Sequence, residues 1–565
     1  MSYRPRVLTV QLPAWRAHLL LGLIMLCFAG MLTRAIYLQG IRNDFLEQKG
    51  ESRYSRVIEL SAHRGEIADR NNEPLAVSTP VESVWASPGD VEIDSDQLQA
   101  LAGILNIPVK EIKKKLGEDG KDFVYLDRQL PPDVAAKVVE LKIPGIFLQR
   151  EYRRYYPSGD VMAHVLGFTN ADDNGQEGLE LAYQNLLAGK PGSRRVIKDR
   201  LGRIVEDVES IRTPKPGQDI MLSIDSKIQY LAYREISRAV EENKAKAGEI
   251  VVLDCRTGEV LAMAGVPTFN PNNREDMKAG LVRNRAVTDN YEPGSTLKPF
   301  TIAAALESGK YAPDTVLQTA PGTLTIGRAT IHDAEKSGAL TVSQIIQKSS
   351  NVGASKIALS LEPKTMWTLL HDSGFGTVPD SGFPGEAAGR LRPYESWRPI
   401  EQATVSFGNG VSVSLLQLAR AYTIFANEGV LQPVTFLKRS GLPDGRRVIS
   451  GKTADEMKKM LEMVVQPGGT GPAAQVVGYI VAGKTGTAHK VEGNGYAAHK
   501  YIASFVGFAP ATNPRLIVAV TVDEPSGGKY YGGEVSAPVF SRVMGGALQI
   551  LGVPSDEPAP NREGL

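Results

Sequence analysis

The stretch YEPGSTLKPF, residues 291–300, places a serine three residues before a lysine. The Pro-Gly pair predicts a sharp turn, and the apolar run after it predicts a helix that ends at Gly309. Ser295 then begins the helix, and Lys298 lies about one turn further on the same face. A neutral lysine amine there could take the serine proton, and the positive end of the helix favours the resulting alkoxide.

The same pattern has an ordinary explanation, in which Ser295 caps the helix and Lys298 is a solvated surface residue. The spacing is common, because Ser526 and Lys529 repeat it in SGGKYYGG, a glycine-rich stretch between two predicted strands. No helical pair can form there. The serine–lysine motif therefore needs support from the rest of the chain.

Two further motifs provide that support. KSSNVG offers Ser349 and Asn351, two residues apart in a predicted helical region, and GKTGTA lies in a predicted strand. Taken singly, each motif has an ordinary explanation. KSSNVG is also typical of a helix cap, and Lys484 is also explained as a charge at a sheet edge. The strand motif contains Lys484, Thr485, Gly486 and Thr487. Three such motifs in this order, on helix, helix and strand, rarely coincide by chance.

Composition limits the class of protein. A chain of 565 residues predicts two to four domains, and a formal net charge of +1 argues against nucleic acid as the main partner. Cys27 and Cys255 are far apart, so we expect no disulfide and no cysteine metal site. The seven histidines are scattered without an HExxH motif, so we expect neither a zinc site nor a cofactor.

The amino-terminal region predicts a membrane anchor. The first 43 residues contain no acidic residue, and residues 17–33 carry no charge. If Arg34 snorkels, the segment 17–38 spans a bilayer behind a cytoplasmic tail, residues 1–16. A cleaved signal peptide is the alternative, but CFAG is a poor cleavage site. The short leading tail favours an amino terminus inside and the remaining chain outside the membrane.

The segments that follow predict an α+β multidomain protein. Residues 39–215 mix strands such as LAVSTPVESVWA with short helices such as DSDQLQALAGIL, and we interpret them as an elongated pedestal domain. The break RTPKPGQDI puts the main boundary near 215. Residues 216–553 have strands at both ends and a largely helical middle, from 295 to about 470, which predicts an antiparallel sheet covered by helices. Residues 554–565 predict a disordered tail.

The three motifs together resemble those of the serine β-lactamases and penicillin-binding proteins. RGEIADRNNEPLA and GLELAYQNLLAGKPG are similar to pedestal motifs of class B penicillin-binding proteins, and SFGNGVSVSLLQLARAYTIFANEG is similar to their transpeptidase domains. The division-specific type, penicillin-binding protein 3 or FtsI-type, is the best match. One departure is Asn72, where the family usually has glycine, and asparagine tolerates that turn.

The resemblance implies a peptidoglycan D,D-transpeptidase at the division septum, acting on stem peptides that end in D-Ala-D-Ala. Ser295 would form an acyl-enzyme that an amine from a neighbouring stem resolves, and β-lactams would acylate the same serine. The implied location is the bacterial inner membrane, with a single span and a periplasmic catalytic domain. The implied partners are a membrane glycosyltransferase of the SEDS type and other division proteins.

The resemblance also implies a role for each motif residue. Lys298 would be the base, Ser349 a proton relay, and Asn351 a holder of the substrate amide and the lysine. The backbone N–H groups of Ser295 and Thr487 would form the oxyanion hole. Substrate binding would use Lys484, Thr485 and Thr487 for the carboxylate, Gly486 to leave room, and Tyr501, Tyr530 and Tyr531 as an apolar wall. For the tyrosines, ordinary strand packing is the alternative.

Other classes of protein share part of this pattern. A β-lactamase would be a short secreted domain, and a bifunctional synthase would need a glycosyltransferase domain that residues 39–215 cannot supply. An elongation-type class B transpeptidase shares the same chemistry. A non-catalytic septal scaffold or β-lactam sensor would share the architecture of the transpeptidase but would not catalyse the reaction.

Overall fold

The computed structural model describes residues 14–41, 55–117, 121, 123–198, 204–273, 275, 277–493 and 495–557. In chain order, its strands are β1 Ser55–Leu60, β2 Ile67–Ala68, β3 Pro74–Ala86, β4 Val124–Leu130, β5 Ile146–Tyr155, β6 Gly192–Lys198, β7 Ile204–Arg212, β8 Ile220–Met221, β9 Ala247–Asp254, β10 Val260–Val266, β11 Val316–Gln318, β12 Thr323–Ile326, β13 Ala329–His332, β14 Ala339–Thr341, β15 Val430–Leu431, β16 Arg446–Arg447, β17 Ala482–Glu492, β18 Gly495–Ala509 and β19 Leu516–Asp523.

The α-helices, in chain order, are α1 Ala14–Ile36, α2 Ser95–Leu105, α3 Val109–Leu116, α4 Pro132–Glu140, α5 Ala163–Leu166, α6 Gly178–Ala182, α7 Gln184–Leu187, α8 Ser226–Glu242, α9 Ala279–Val282, α10 Arg285–Thr288, α11 Lys298–Glu307, α12 Val342–Lys348, α13 Asn351–Ser360, α14 Pro363–Asp372, α15 Pro399–Val405, α16 Leu415–Ala421, α17 Thr423–Ala426, α18 Gly451–Val465, α19 Gly532–Val535 and α20 Ala537–Ile550.

The chain forms two compact units that alternate along the sequence. The first contains residues 1–62, 81–151 and 190–215, and the second contains residues 63–80, 152–189 and 216–565. Strands β3 and β5 therefore contribute residues to both units. The domain boundary near 215 stays a prediction.

In the first unit, β1, β6 and β7 form an antiparallel sheet, and a separate core lies around the helices α2, α3 and α4. Leu98, Leu101 and Leu105 recur at helical spacing, so α2 buries one face in this core. Asp94 caps the helix by accepting a hydrogen bond from the backbone N–H of Gln97, whose side chain bonds back to the cap.

Helix α1 covers most of the predicted anchor and continues as a π-helical turn over Tyr37–Ile41. None of its residues is buried, and the segment Ala14–Gln39 is long and apolar enough to cross a bilayer. Cys27 lies in this helix and is a free thiol, as is the buried Cys255 of the second unit. Most of the predicted cytoplasmic tail, residues 1–13, lies outside the described residues.

The second unit contains a five-stranded sheet in the order β10-β9-β19-β18-β17, and every neighbouring pair is antiparallel. Successive residues of β9 point to opposite faces, so Ile250 packs beneath α8 and α20 while Val251 faces the helical core that includes Phe300 of α11. Helix α8 begins at the cap Asp225, whose carboxylate accepts two backbone N–H bonds. The predicted antiparallel sheet covered by helices is confirmed.

The predicted helical middle of this unit needs one correction. Within residues 295–470, three short ribbons interrupt the helices: β11 with β14, β12 with β13, and β15 with β16. The sequences TLTI of β12 and ATIH of β13 alternate polar and apolar residues on either side of the turn at Gly327. The φ of 62° at Gly327 suits a tight hairpin. The alternation outweighs the helical pattern of the surrounding sequence.

The carboxyl-terminal tail is described as far as residue 557, and its disorder stays a prediction. The carboxylate of Asp556 accepts hydrogen bonds from the backbone N–H of Ile480, at 2.8 Å, and from the hydroxyl of Thr512, at 2.8 Å. Two side-chain anchors of this kind hold the first residues after 553 on the second unit. Residues 558–565 lie outside the described residues.

A buried charge cluster lies in the part of the second unit that precedes residue 190. The carboxylate of Glu180 accepts from Nε of Arg64, at 2.7 Å, and from Nε of Arg154, at 2.6 Å, and all three side chains are buried. Asn72 takes φ of 68°, so the prediction that asparagine adopts this turn is confirmed.

Candidate active site

Ser295 lies in a 3-10 turn, Gly294–Leu297, directly before α11. The prediction of a helix start is therefore right, although the first turn is tighter than an α-helix. Gly294 adopts φ of 55°, and a side chain there would approach the carbonyl oxygen of Thr487 in β17 to 3.3 Å. Ser295 itself is half-buried, while the residues on both sides of it are buried. The turn thus leaves this hydroxyl accessible beside the edge strand of the sheet.

Lys298 is fully buried, which excludes the solvated surface lysine. Its Nζ lies 2.9 Å from Oγ of Ser295 and 3.0 Å from Oγ of Ser349. It also donates to the backbone carbonyl of Ser349, at 2.5 Å, and to Oδ1 of Asn351, at 2.7 Å. Burial lowers the pKa of Lys298 well below its ordinary value of 10.5, and the nearby charge of Lys484 lowers it further.

Ser349 separates two helices instead of lying within one. It follows α12 and adopts a left-handed conformation with φ of 59°, and α13 begins at Asn351. The sequence placed Ser349 in a helical region, and the reversal of the backbone between two helices directs both its carbonyl and its hydroxyl to the lysine amine. Asn351 also donates from Nδ2 to the backbone carbonyl of His332, at 2.9 Å, which fixes the orientation of its amide.

Lys484 lies on β17 and is fully buried, so the alternative of an exposed charge at the sheet edge is wrong. Its Nζ donates to Oγ of Ser349 at 3.0 Å and lies 3.2 Å from Oγ1 of Thr485. Burial lowers the pKa of Lys484 to about 7. We call Ser295, Lys298, Ser349, Asn351 and Lys484 the central cluster, since the structure brings all five together.

The remaining residues of the strand motif contact other parts of the second unit. Oγ1 of Thr485 lies 2.7 Å from Oγ1 of Thr470, and Oγ1 of Thr487 accepts from the backbone N–H of Gly532 at 3.0 Å. Gly486 has a packing explanation that the sequence did not suggest. A side chain at 486 would approach Oγ of Ser504 on the neighbouring strand β18 to 2.3 Å and Cγ2 of Thr296 in the 3-10 turn to 2.9 Å.

The three predicted tyrosines form one aromatic stack. The rings of Tyr501 and Tyr530 are parallel at 4.4 Å, and Tyr531 packs on Tyr530 at 4.4 Å with a hydroxyl–hydroxyl contact of 3.1 Å. Tyr531 is 48% exposed and precedes Gly532, which bonds Thr487. The stack therefore begins beside the strand motif, and its role as a wall of the substrate site stays a prediction.

Asp333 is a residue of the site that sequence reasoning missed. Its carboxylate accepts from Oγ of Ser350, at 2.8 Å, and from the backbone N–H of Val352, at 2.9 Å, and so holds the start of α13. Its charge also partly opposes the lowering of the pKa of Lys298. It is distant from these partners in sequence, and HDAEKSG carries no recognisable signal.

The decoy motif behaves differently. Ser526 donates to the backbone carbonyl of Lys244 at 2.7 Å, in an irregular loop after β19. The same Ser-x-x-Lys spacing therefore builds no reactive pair there. Among the described residues, no group of three or more histidine, cysteine or acidic side chains could hold a metal ion.

Comparison with known proteins places this geometry in a family. Residues 248–545 match the penicillin-binding protein transpeptidase domain, and residues 59–222 match the penicillin-binding protein dimerisation domain. The chain is 46% identical to the probable peptidoglycan D,D-transpeptidase PenA of Neisseria meningitidis, over 99% of this chain and 97% of that protein. It is 43% identical to the peptidoglycan D,D-transpeptidase FtsI of Escherichia coli K12, over 96% of this chain and 93% of that protein.

Solved structures agree with this assignment. Penicillin-binding protein 3 of Mycobacterium tuberculosis, in complex with aztreonam, is 30% identical with a TM-score of 0.69, over 89% of this chain and 99% of that chain. The apo transpeptidase domain of Burkholderia pseudomallei penicillin-binding protein 3 is 51% identical with a TM-score of 0.56, over 60% of this chain and 98% of that chain. The chain therefore belongs to the class B penicillin-binding proteins, which combine a dimerisation domain with a transpeptidase domain.

Proposed function

We propose that this chain is a serine-type D,D-transpeptidase that cross-links the stem peptides of peptidoglycan at the bacterial division septum. The observation that carries the proposal is the buried amine of Lys298, 2.9 Å from the hydroxyl oxygen of Ser295. The relatives PenA and FtsI are named peptidoglycan D,D-transpeptidases, which supports the substrate class.

The contacts of Lys298 favour its action as a base. A neutral amine has two N–H donors and one lone pair. The backbone carbonyl of Ser349 and Oδ1 of Asn351 can only accept hydrogen bonds, so they take the two donors. The lone pair is then left for the hydroxyl proton of Ser295. The lowered pKa of Lys298 favours the neutral amine, which this role requires.

Acylation follows from this arrangement. Oγ of Ser295 attacks the carbonyl carbon between the two terminal D-alanines and passes its proton to Lys298. The carbon–nitrogen bond then breaks, and the terminal D-alanine leaves with a proton on its nitrogen. An amine from a neighbouring stem attacks the ester and releases the cross-linked peptide. A β-lactam acylates the same oxygen, and its acyl-enzyme persists.

Ser349 is placed to move the proton. Its Oγ lies 3.0 Å from Nζ of Lys298 and 3.0 Å from Nζ of Lys484, so one hydroxyl connects the two amines. Once Lys298 has taken the proton of Ser295, its third N–H can donate to Oγ of Ser349. Ser349 can then pass its own hydroxyl proton to the leaving nitrogen and take the proton of Lys298 in its place. The amine of Lys484, whose pKa is lowered to about 7, donates to the same oxygen.

The strand motif supplies the groups for charge stabilisation and substrate binding. The backbone N–H groups of Ser295 and Thr487 bind the oxyanion, since Gly294 brings the turn against Thr487. Hydroxyls of Thr485 and Thr487 bind the terminal carboxylate of the substrate, with Lys484 behind them. The tyrosine stack forms the apolar wall on the side of Thr487.

Labelling with a fluorescent penicillin tests the proposal. The expected result is one labelled peptide, identified by mass spectrometry, with the acyl group on Ser295 and no label in Ser295→Ala. The matched control is Ser526→Ala, which removes the serine of the decoy motif and should label normally. Label on another residue, or full labelling of Ser295→Ala, would overturn the assignment.

The cellular setting belongs to the same proposal. Helix α1 supports a single-pass anchor in the inner membrane, with the amino terminus inside and the transpeptidase domain in the periplasm. A SEDS-type glycosyltransferase and other division proteins are the expected partners, and an elongation-type role is the alternative. Complementation of a conditional division mutant separates these roles. Rescue of septation by the Ser295→Ala variant would instead favour a non-catalytic septal scaffold.

A further inference from the structure

A cavity of about 460 Å³ lies in the second unit, at the end of the central sheet where β9 begins and β19 ends. Its walls include Glu249 and Thr521 from the sheet, Leu415 from α16, and Tyr291 from the segment that leads to Ser295. The lining, which is drawn from the described residues, includes no member of the central cluster. The cavity is therefore separate from the proposed reaction site.

The inner wall of the cavity carries a buried carboxylate with one unused oxygen. Glu249 is 6% exposed, and its Oε2 accepts from the hydroxyl of Thr521 at 2.8 Å. Its Oε1 has no hydrogen-bond partner among the described residues. Nε of Arg285 is 3.4 Å from Oε1, but this guanidinium bonds Asp289 and Asp523 at 3.0 Å each. Leaving a buried acceptor unpaired is costly, so a donor is expected at this position.

Two further observations point to a cationic donor. Burial raises the pKa of the Glu249 carboxyl to about 7, against the opposing effects of Arg285 and Thr521, while the charges of Asp523 and Asp289 add to the rise. The cations of the protein thus neutralise this carboxylate incompletely. The hydroxyl of Tyr291, on the same wall, is also buried without a hydrogen-bond partner among the described residues.

The rim of the cavity has the opposite charge. Lys246 and Arg283 line it with side chains that are 63% and 59% exposed. Arg283 bonds Asp289 through Nη2, so its other guanidinium donors can serve an anion. The apolar side chains of Pro267 and Ile502 also line the cavity, together with Lys490, which bonds Asp523 and Glu524. The lining therefore offers a buried carboxylate and exposed cations to an occupant.

We propose that this cavity binds a small zwitterion, whose ammonium group bonds Glu249 and whose carboxylate lies at Arg283 and Lys246. An apolar stretch of a few methylene groups joins the two charges along Pro267 and Ile502. The occupant contacts Tyr291, four residues before Ser295, so it touches the segment that carries the proposed nucleophile.

Calorimetric titration of the full-length protein in detergent at pH 8 tests the proposal with three probes. We expect 6-aminohexanoate, which carries both charges, to bind more tightly than hexylammonium. Hexanoate, which lacks the ammonium group, should show no binding. Equal binding of hexanoate, or no heat from 6-aminohexanoate at millimolar concentration, would overturn the proposal. No penicillin is involved, so the outcome is independent of the role of Ser295.

A variant pair locates the ammonium contact. Glu249→Gln keeps the size of the side chain and should weaken 6-aminohexanoate binding at least about tenfold, because the ionic hydrogen bond is lost. The matched control is Glu235→Gln, which changes another buried glutamate that pairs with Arg542 outside the cavity. It should bind normally. Binding by Glu249→Gln that equals wild type would refute the site.

The pH dependence gives a readout of the same contact. The zwitterion binds the ionised carboxylate, so affinity should fall as the pH drops below about 7, and binding there should release a proton. Glu249→Gln should lose this dependence. A wild-type affinity that is constant between about pH 6 and 8 would count against the proposal.

Discussion

The substitution Gly486→Ala measures how closely β17 packs on the 3-10 turn that carries Ser295. A Cβ at this position would lie 2.3 Å from Oγ of Ser504, 2.9 Å from Cγ2 of Thr296 and 3.0 Å from the carbonyl oxygen of Pro293. Ordinary contacts begin at 3.4 Å. The Ser504 hydroxyl can rotate away, but the contacts at 2.9 and 3.0 Å require the strand or the turn to move by about 0.5 Å to admit one methyl group.

The expected size of the effect follows from that displacement. Overpacking of this kind destabilises a core by about 1–3 kcal/mol, which corresponds to a Tm several degrees lower. A misplacement of about 1 Å costs about 100-fold in rate, so a shift of about half that size between the nucleophile and the strand that holds the substrate should lower the rate by about 10-fold. We therefore expect Gly486→Ala to fold, with reduced Tm, and to react slowly with penicillin.

Stopped-flow acylation by a fluorescent penicillin and thermal unfolding provide the two measurements. The control is Gly495→Ala on β18, where a Cβ meets no atom within 4 Å, and both values should be unchanged. Adding Ser504→Ala removes the atom at 2.3 Å and should restore part of the rate. An acylation rate for Gly486→Ala within about threefold of wild type, at unchanged Tm, would refute the packing argument.

Three other predictions concern charge. Acylation by penicillin should slow about tenfold for each pH unit below the lowered pKa of Lys298, because only the neutral amine accepts the serine proton; a flat stopped-flow profile would contradict this. Asn351→Asp places a carboxylate at the oxygen 2.7 Å from that amine, so the same profile should move to higher pH, and an unmoved profile would contradict the assigned contact. Glu180→Ala removes the carboxylate that two buried arginines bond directly and should cost about 3–5 kcal/mol in chemical denaturation, whereas the exposed Glu242→Ala should cost less than about 1 kcal/mol; similar losses would contradict the difference.

Local sequence signals predicted much of the second unit because they act over short distances. The hairpin of β9 and β10 follows from two apolar runs around a turn, and α8 and α20 follow from helical spacing. The order of the three motifs also identified the central cluster. Each motif is a short stretch whose residues must face the same cleft, so it can be recognised in the sequence alone.

The features that were missed depend on contacts between distant segments. Asp333 reaches α13 only because a ribbon folds over it, and the space around Gly486 is filled by residues of two other segments. The left-handed turn at Ser349 contradicts the local helical pattern because its carbonyl is needed at the lysine. Local propensity and periodicity do not encode contacts between distant segments, and such contacts are concentrated at the candidate site.

The conformation of Ser349 restricts how this protein can change under antibiotic selection. At φ of 59°, glycine or asparagine would relieve the backbone of a penalty of about 1 kcal/mol. Either replacement discards the hydroxyl between two amines, so a lower backbone strain would come with the loss of the proposed proton relay. Under that proposal, an inhibitor that bonds the Ser349 hydroxyl would contact a group that an active variant has to retain.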